Sequence, residues 1–247
     1  MNKYLYKYKG LRTKEDVVRL LDIIDNNRIY IPNYEKLNDP LEGQIIDIGL
    51  AGYAGIEMTR AADMEEPYLH DLRNKYKILS LSGECNNSVM WAHYGNDYDG
   101  VCLCFSTDKN FSRAKPVEYC KEKQEIFAGQ NDRIISREIQ NGFFKKSDRW
   151  DYEKEWRIVK KTKNNYIQFD SNELCGIIVG HNISPEIERY LVGRIDERIR
   201  IMKTMVGHRS CGIRIISLHN RFVNNGRELK SLDVEKTLSK GKCVYQT

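Results

Sequence analysis

The first stretch with a readable pattern is 5–8, where apolar and polar character alternates in a Tyr-rich run; this predicts a strand. Thr13 then offers an N-cap, and Val17, Val18, Leu20, Leu21 and Ile24 recur at helical spacing. A helix over 14–25 is expected, ended by Asn26-Asn27. Residues 28–31 read as a short strand stopped by Pro32. Leu37-Asn38-Asp39-Pro40-Leu41-Glu42-Gly43 is a turn cluster, because Asn and Asp bond their own backbone, Pro fixes φ and Gly permits positive φ. A helix over 52–76, interrupted at Pro67, leads to a strand at 77–81. One or two helical turns at 88–94 are capped by Gly95, and strands follow at 100–105 and 116–120. Ile126, Phe127, Ile134, Ile135, Ile139 and Phe143 form a broad stripe that predicts a helix over 122–145. Strands are expected at 154–160, 166–169 and 174–179. Ser184-Pro185-Glu186 is a helix start, with a capping hydroxyl, Pro in the first turn and an acid at the positive end of the dipole. That helix is expected to run to about Met202, with a last strand at 212–218.

About eight strands and about four helices, in no regular βαβ alternation, point to an α+β fold with a mixed or largely antiparallel sheet. The chain of 247 residues reads as a single domain over 1–223 and a polar C-terminal extension over 224–247. Hydrophobic residues make up 40% and charged residues 30%, ordinary for a globular protein. The net charge of +5 is too small to argue by itself for nucleic acid or a membrane. Local clustering says more. Residues 143–163 carry Lys145, Lys146, Arg149, Lys154, Arg157, Lys160, Lys161 and Lys163 around a pair of glutamates, which suits a phosphate-bearing ligand or a solvated face of alternating charge. Seven cysteines without a Cys-x-x-Cys read as buried unpaired thiols in a reducing compartment, with Cys102 and Cys104 on the same side of a strand. No apolar signal core follows Met1, and no apolar run approaches the length of a membrane span. A cytoplasmic protein with no membrane partner is expected.

Three segments concentrate the chemistry. In 78–84, Ser80 and Ser82 share one strand face, Leu79 and Leu81 take the other, and Gly83 lets the chain turn. Met90-Trp91-Ala92-His93-Tyr94, if helical, sets Met90, Trp91 and Tyr94 as a wall that packs against a flat heteroaromatic ring or against an ordinary core. His93 reads as a general base, a donor or a structural histidine. In Tyr152-Glu153-Lys154-Glu155-Trp156-Arg157, a strand would place Glu153, Glu155 and Arg157 on one face. Two carboxylates beside a guanidinium can grip ribose hydroxyls, stabilise an oxocarbenium-like centre or hold a metal, or they can form a cross-strand ladder. Asn38 and Asp39 add polar groups to a site or cap a turn.

In their order along the chain, Tyr6-Lys7-Tyr8, Leu37-Asn38-Asp39-Pro40-Leu41-Glu42, Ser80-Leu81-Ser82, Met90-Trp91-Ala92-His93-Tyr94, Gly100-Val101-Cys102-Leu103-Cys104-Phe105 and Tyr152-Glu153-Lys154-Glu155-Trp156-Arg157 resemble the bacterial "domain of unknown function 2971" family over residues 4 to about 180. The chain also resembles toxin-type ADP-ribosyltransferases. These carry a basic or aromatic first-strand residue, a Ser-x-Ser strand and a Glu-x-Glu segment. Tyr6-Lys7-Tyr8, Ser80-Leu81-Ser82 and Glu153-Lys154-Glu155 follow that order, without a clear first-strand Arg or His.

That second resemblance implies NAD as substrate and no metal. Glu155 and Glu153 are the implied catalytic pair: Glu155 would favour the oxocarbenium-like transition state, and Glu153 would orient the acceptor. Ser80 or Ser82 would support the nicotinamide ribose. We add Tyr94 or Trp91 as a stacking surface, and Tyr8, His93, Arg157, Asn38 and Asp39 as further binding residues. The resulting expectation is an NAD-consuming ADP-ribosyltransferase-like or glycohydrolase-like enzyme, a toxin or phage-defence effector, with a small-molecule nucleotide as ligand and an unidentified macromolecular acceptor. Two other readings stay open. One is a nucleic-acid-binding or metal-dependent phosphodiesterase domain that gathers Asp39, Glu42, Glu153 and Glu155. The other is a non-enzymatic sensor or interaction module.

Overall fold

The structure is a computed structural model that describes residues 2–39, 45–47, 67–121, 124–126, 132–206 and 212–217. Its frame is an eight-stranded mixed sheet. The strands are β1 (Tyr4–Gly10), β4 (Tyr76–Ser82), β5 (Gly100–Ser106), β6 (Lys115–Pro116), β10 (Glu155–Lys161), β12 (Leu174–Val179), β13 (Arg200–Val206) and β14 (Ile213–Ser217), in the order β14-β13-β12-β5-β1-β4-β10-β6. The neighbours are antiparallel except β12 and β13. The expected α+β class with a mixed, largely antiparallel sheet is what the chain adopts. Short pairs lie outside this frame: β2 (Arg28–Tyr30) with β11 (Tyr166–Gln168), β3 (Ile45–Asp47) with β8 (Gln124–Ile126), and β7 (Glu118–Cys120) with β9 (Lys145–Ser147).

Two cores form because strand side chains alternate between faces. One face buries Leu5, Leu79, Leu81, Leu103 and Phe105 under α1 (Lys14–Asn26), which contributes Leu20 and Ile23. The helix starts where the sequence marks it: the Thr13 side chain accepts from Asp16 N–H and Asp16 reaches back to the Thr13 N–H, a complete capping box. The other face buries Tyr6, Tyr8, Cys102 and Cys104 against Met90 and Trp91. A third cluster joins Tyr76 and Ile78 to Leu69 and Leu72 of α2 (Pro67–Arg73), and to Ile139 and Phe143 at the end of α4 (Asp132–Gly142). Between α2 and α4 in the chain stands α3 (Ser88–Tyr94), capped by Asn87, whose Oδ1 accepts from the Val89 and Met90 N–H groups.

Several expectations are corrected. The helix over 122–145 is shorter, since Gln124–Ile126 pairs as a parallel strand with Ile45–Asp47. The strand over 116–120 splits. Pro116 has no N–H to give and sits in β6 at the sheet edge, while Glu118–Cys120 pairs elsewhere. The helix from Ser184 is α5 (Pro185–Arg194), and it stops well short of Met202 because Arg200–Val206 pairs with β12. The thiols are not all unpaired, for Cys85 is disulfide-bonded. Cys102, Cys104 and Cys175 carry free thiols. The expected helix over 52–66, the turn at 40–43 and the extension over 224–247 lie outside the described residues. Among the described residues no helix is long and apolar enough to cross a membrane.

Candidate functional site

Strands β1 and β4 are neighbours, yet they register only at Tyr6 opposite Ser82. Further along β4, the Ile78 N–H bonds the Pro32 carbonyl at 3.0 Å instead. Between these two points the Ser80 carbonyl accepts from the Lys7 ammonium at 2.8 Å, a side chain standing where a ladder bond would be. A cavity of about 200 Å³ occupies this seam. Lys7 and Leu81 line it from one parity of their strands, Tyr8 and Ser80 from the other, so it runs between the strands and is not confined to one face.

Strand β10 lies on the far side of β4, with Glu155 opposite Ser82 and Arg157 opposite Ser80. Glu153 is not on that strand. It ends a 3-10 turn, Asp148–Glu153, and Lys154 follows in the left-handed region at φ 46°. This corner separates the two glutamates in backbone but brings their side chains together on Lys146. The Lys146 ammonium donates to Glu153 Oε2 at 2.5 Å and to Glu155 Oε2 at 3.1 Å. Arg157 donates from Nε to Glu155 Oε1 at 2.7 Å and from Nη2 to Oε2 at 2.8 Å, and its Nη1 holds the Phe143 carbonyl at 2.7 Å. All four side chains are buried, and Arg157 is 0% exposed. Charges removed from water persist only when paired and hydrogen-bonded, and this quartet meets both conditions.

The turn is fixed to its surroundings. The Ser82 hydroxyl donates to the Glu153 carbonyl at 2.7 Å, and the Asn87 amide donates to the Tyr152 carbonyl at 2.8 Å. The Glu155 N–H bonds the Tyr119 hydroxyl at 2.7 Å. The Tyr94 hydroxyl donates to Glu153 Oε1 at 2.6 Å and accepts from the Asn38 amide.

The electrostatics follow from this packing. Burial alone raises the Glu155 carboxyl, but Arg157, Lys146 and the Ser80 hydroxyl overrule it and hold it at about 2. Burial, and next the charge of Lys9, bring Lys7 down to about 8 against the pull of Glu155 and Glu153. Burial and the Glu153 carboxylate push the Tyr94 hydroxyl up. Because the folded Glu155 value lies below its ordinary 4.5, its contribution to stability is complete above pH 4.5 and is lost as pH falls toward about 2. The melting-temperature advantage of the native protein over Glu155→Gln should therefore shrink across that window. An advantage that stays constant down to pH 2 would contradict the assignment.

The cavity gathers Tyr8, Asn38, Ser80, Ser82, Tyr94, Glu153 and Glu155 from the residues expected at a site. Four others stand elsewhere. Arg157 backs Glu155 from behind. Trp91 is core: it is fully buried, meets Tyr8 edge-on at 5.3 Å and stacks on Tyr98 at 5.8 Å, so it holds Tyr8 in place without lining the cavity. His93 is exposed and bonds the Tyr152 hydroxyl at 3.2 Å. Asp39 is buried and is not among the described lining residues. In the sequence Lys146 stands only as one member of a basic cluster. Its sign was position, a lysine between Phe144 and Trp150, whose ring it faces at 4.8 Å.

Residues 90–158 match the family described as "Protein of unknown function (DUF2971)". Over that stretch, under a third of the chain, the sequence is similar to this family. The DUF2971 segment is shorter than the expected match over 4 to about 180. It runs from α3 through β10 and supplies Tyr94, Lys146, Glu153, Glu155 and Arg157, one wall of the cavity with its ionic support. The facing wall, Lys7, Tyr8, Ser80 and Ser82, comes from strands outside it. No curated protein and no solved structure matches the chain.

Proposed function

We propose that the seam cavity takes the nicotinamide end of NAD, the rest of the dinucleotide lying outside it, and that the protein breaks the bond between nicotinamide and ribose, passing the ADP-ribosyl group to a macromolecular acceptor or to water. One observation carries this reading. The first-strand and Ser-x-Ser motifs fall on β1 and β4, the Glu-x-Glu motif on the start of β10 and the turn leading into it, and side chains of all three motifs line one cavity. Three motifs scattered over the sheet could not act on one bond.

In the reaction the C–N bond breaks, nicotinamide leaves with the bonding pair, and the ribose develops positive charge. Glu155, held ionised by Arg157 and Lys146, supplies a fixed negative charge beside that centre without reorganising. The Ser80 hydroxyl, which bonds Glu155, is placed to pass that bond to a ribose hydroxyl. Glu153, bonded to Tyr94, faces the incoming acceptor. Tyr8, Tyr94 and Met90 give the ring a flat, soft surface. Inside a bacterial cell such chemistry would drain NAD or modify a host component, as a toxin or defence effector does.

The phosphodiesterase reading asks the same carboxylates to hold a divalent ion. Lys146 already bonds both Glu153 and Glu155, and an ion between them would meet that charge at close range. The NAD reading uses the quartet as it stands. Incubation with NAD is expected to release free nicotinamide, and Tyr94→Phe should slow that release by removing the hydroxyl from Glu153. NAD should also raise the melting temperature. The absence of both nicotinamide release and a thermal shift at millimolar NAD would end this reading.

A further inference from the structure

The buried quartet balances itself, with Glu153 and Glu155 against Lys146 and Arg157. Lys7 is a fifth charge in the same cavity wall. Its ammonium donates to a neutral acceptor, the Ser80 carbonyl. An ammonium has three N–H donors, so a Lys7 that lines the cavity keeps donors beyond the one it gives Ser80. The acids that act on Lys7 are Glu155 and Glu153, already shared with the quartet's own cations. The cations that act on it are Lys9 on its own strand and Arg157 on β10. Among the described residues, with the exposed Lys36 also in the lining, the cavity therefore holds more positive charge than its acids offset, and low-dielectric walls strengthen the pull of that excess on an anion.

The rest of the lining is mainly apolar or aromatic, with Ile78, Leu81, Met90, Tyr8 and Tyr94. At about 200 Å³ the space falls below the roughly 300–1,000 Å³ of a drug-sized site and suits a single substituted ring. We propose that this cavity binds a small planar carboxylate, its ring against Tyr8, Tyr94 and Met90 and its acid group on Lys7 Nζ. A carboxylate on an ammonium forms a charge-assisted bond that an amide cannot match. The name of the ring rests on the NAD reading, though the charge does not. In those terms the site takes nicotinic acid in preference to nicotinamide.

Isothermal titration of the full chain with nicotinate, nicotinamide and inorganic phosphate tests this. Nicotinate should bind at least about tenfold tighter than nicotinamide, the scale of one charge-assisted bond. Lys7→Met should erase the difference and Lys7→Arg should keep it. Nicotinate affinity of the native protein should fall as pH rises through about 8, where Lys7 loses its proton. In Lys7→Arg it should not fall, which separates Lys7 from Lys9. If Lys7→Met fails to fold, the comparison of the native protein with Lys7→Arg decides. Equal or tighter binding of nicotinamide, a preference that survives Lys7→Met, or binding of phosphate without nicotinate would each overturn the proposal. Nicotinate binding by a protein that releases no nicotinamide from NAD would leave it standing and end the NAD reading. Nicotinamide release without a preference for nicotinate would do the reverse.

Discussion

Replacing Arg157 with methionine is expected to destabilise the protein by about 3–5 kcal/mol, the cost of breaking a buried pair and leaving one partner behind. Among the described residues the guanidinium bonds Glu155 twice and the Phe143 carbonyl once, at 2.7–2.8 Å and out of water. Methionine fills much of the volume but satisfies none of these acceptors. Of the quartet's two cations only Lys146 would then remain beside the two carboxylates. A loss of that size is a large part of the roughly 5–15 kcal/mol that holds a folded domain together, and it should lower the melting temperature by on the order of 10 °C. Arg198→Ala is the control. Arg198 pairs with Asp196 at 3.0 Å, with both side chains about half exposed, and such pairs contribute about 0–1 kcal/mol. Chemical denaturation of the two variants side by side checks the contrast. Equal losses would mean that the quartet is not the buried, mutually dependent unit described above.

Glu155→Gln should reduce nicotinamide release by about 10²–10³-fold, the range seen when one preorganised electrostatic contact to a developing charge is removed. Glutamine keeps the shape of the side chain and one oxygen for Arg157, so the loss should come from charge. Glu155 is ionised throughout the neutral range, so it contributes no titration step to the rate there. Its effect belongs in kcat, because the charge it meets exists only at the transition state. Thermal melting verifies that the variant is folded before rates are compared. Turnover within about threefold of the native protein, in a folded variant, would remove Glu155 from the chemistry.

Local signals were legible in the sequence, and long-range ones were not. The capping box at Thr13 and the Ser184-Pro185 start are built from residues a few positions apart, and both helices begin where those residues stand. The far end of α5 was not legible. Ile199, Ile201 and Met202 fit a helical stripe as well as a strand, and only pairing with β12 makes the second choice. The fate of 124–126 was decided in the same way by Ile45–Asp47. The Ser80/Ser82 and Glu155/Arg157 faces followed from strand period alone, and the structure places them opposite one another. Strand period would put Glu153 on the same face, but it stands on the turn before the strand. A lysine at positive φ leaves no mark in the sequence, so the corner at Lys154 was invisible. Lys146 and Lys7 were hidden for another reason, since their partners are far away or reached only through folding. A buried lysine looks like any surface lysine until its acids are in place.

The seam between β1 and β4 also bears on how the molecule holds together. Five strands, β14 to β1, lie on one side of it and three, β4, β10 and β6, on the other, tied across it among the described residues by one backbone pairing, by Lys7 on the Ser80 carbonyl and by the Tyr8 hydroxyl on the Glu84 carbonyl. A guest lodged there touches both halves at once and acts as a missing rung. Amide protons of Tyr8 and Ser80 should then exchange more slowly when the guest is present, as the two halves become a single stiff panel.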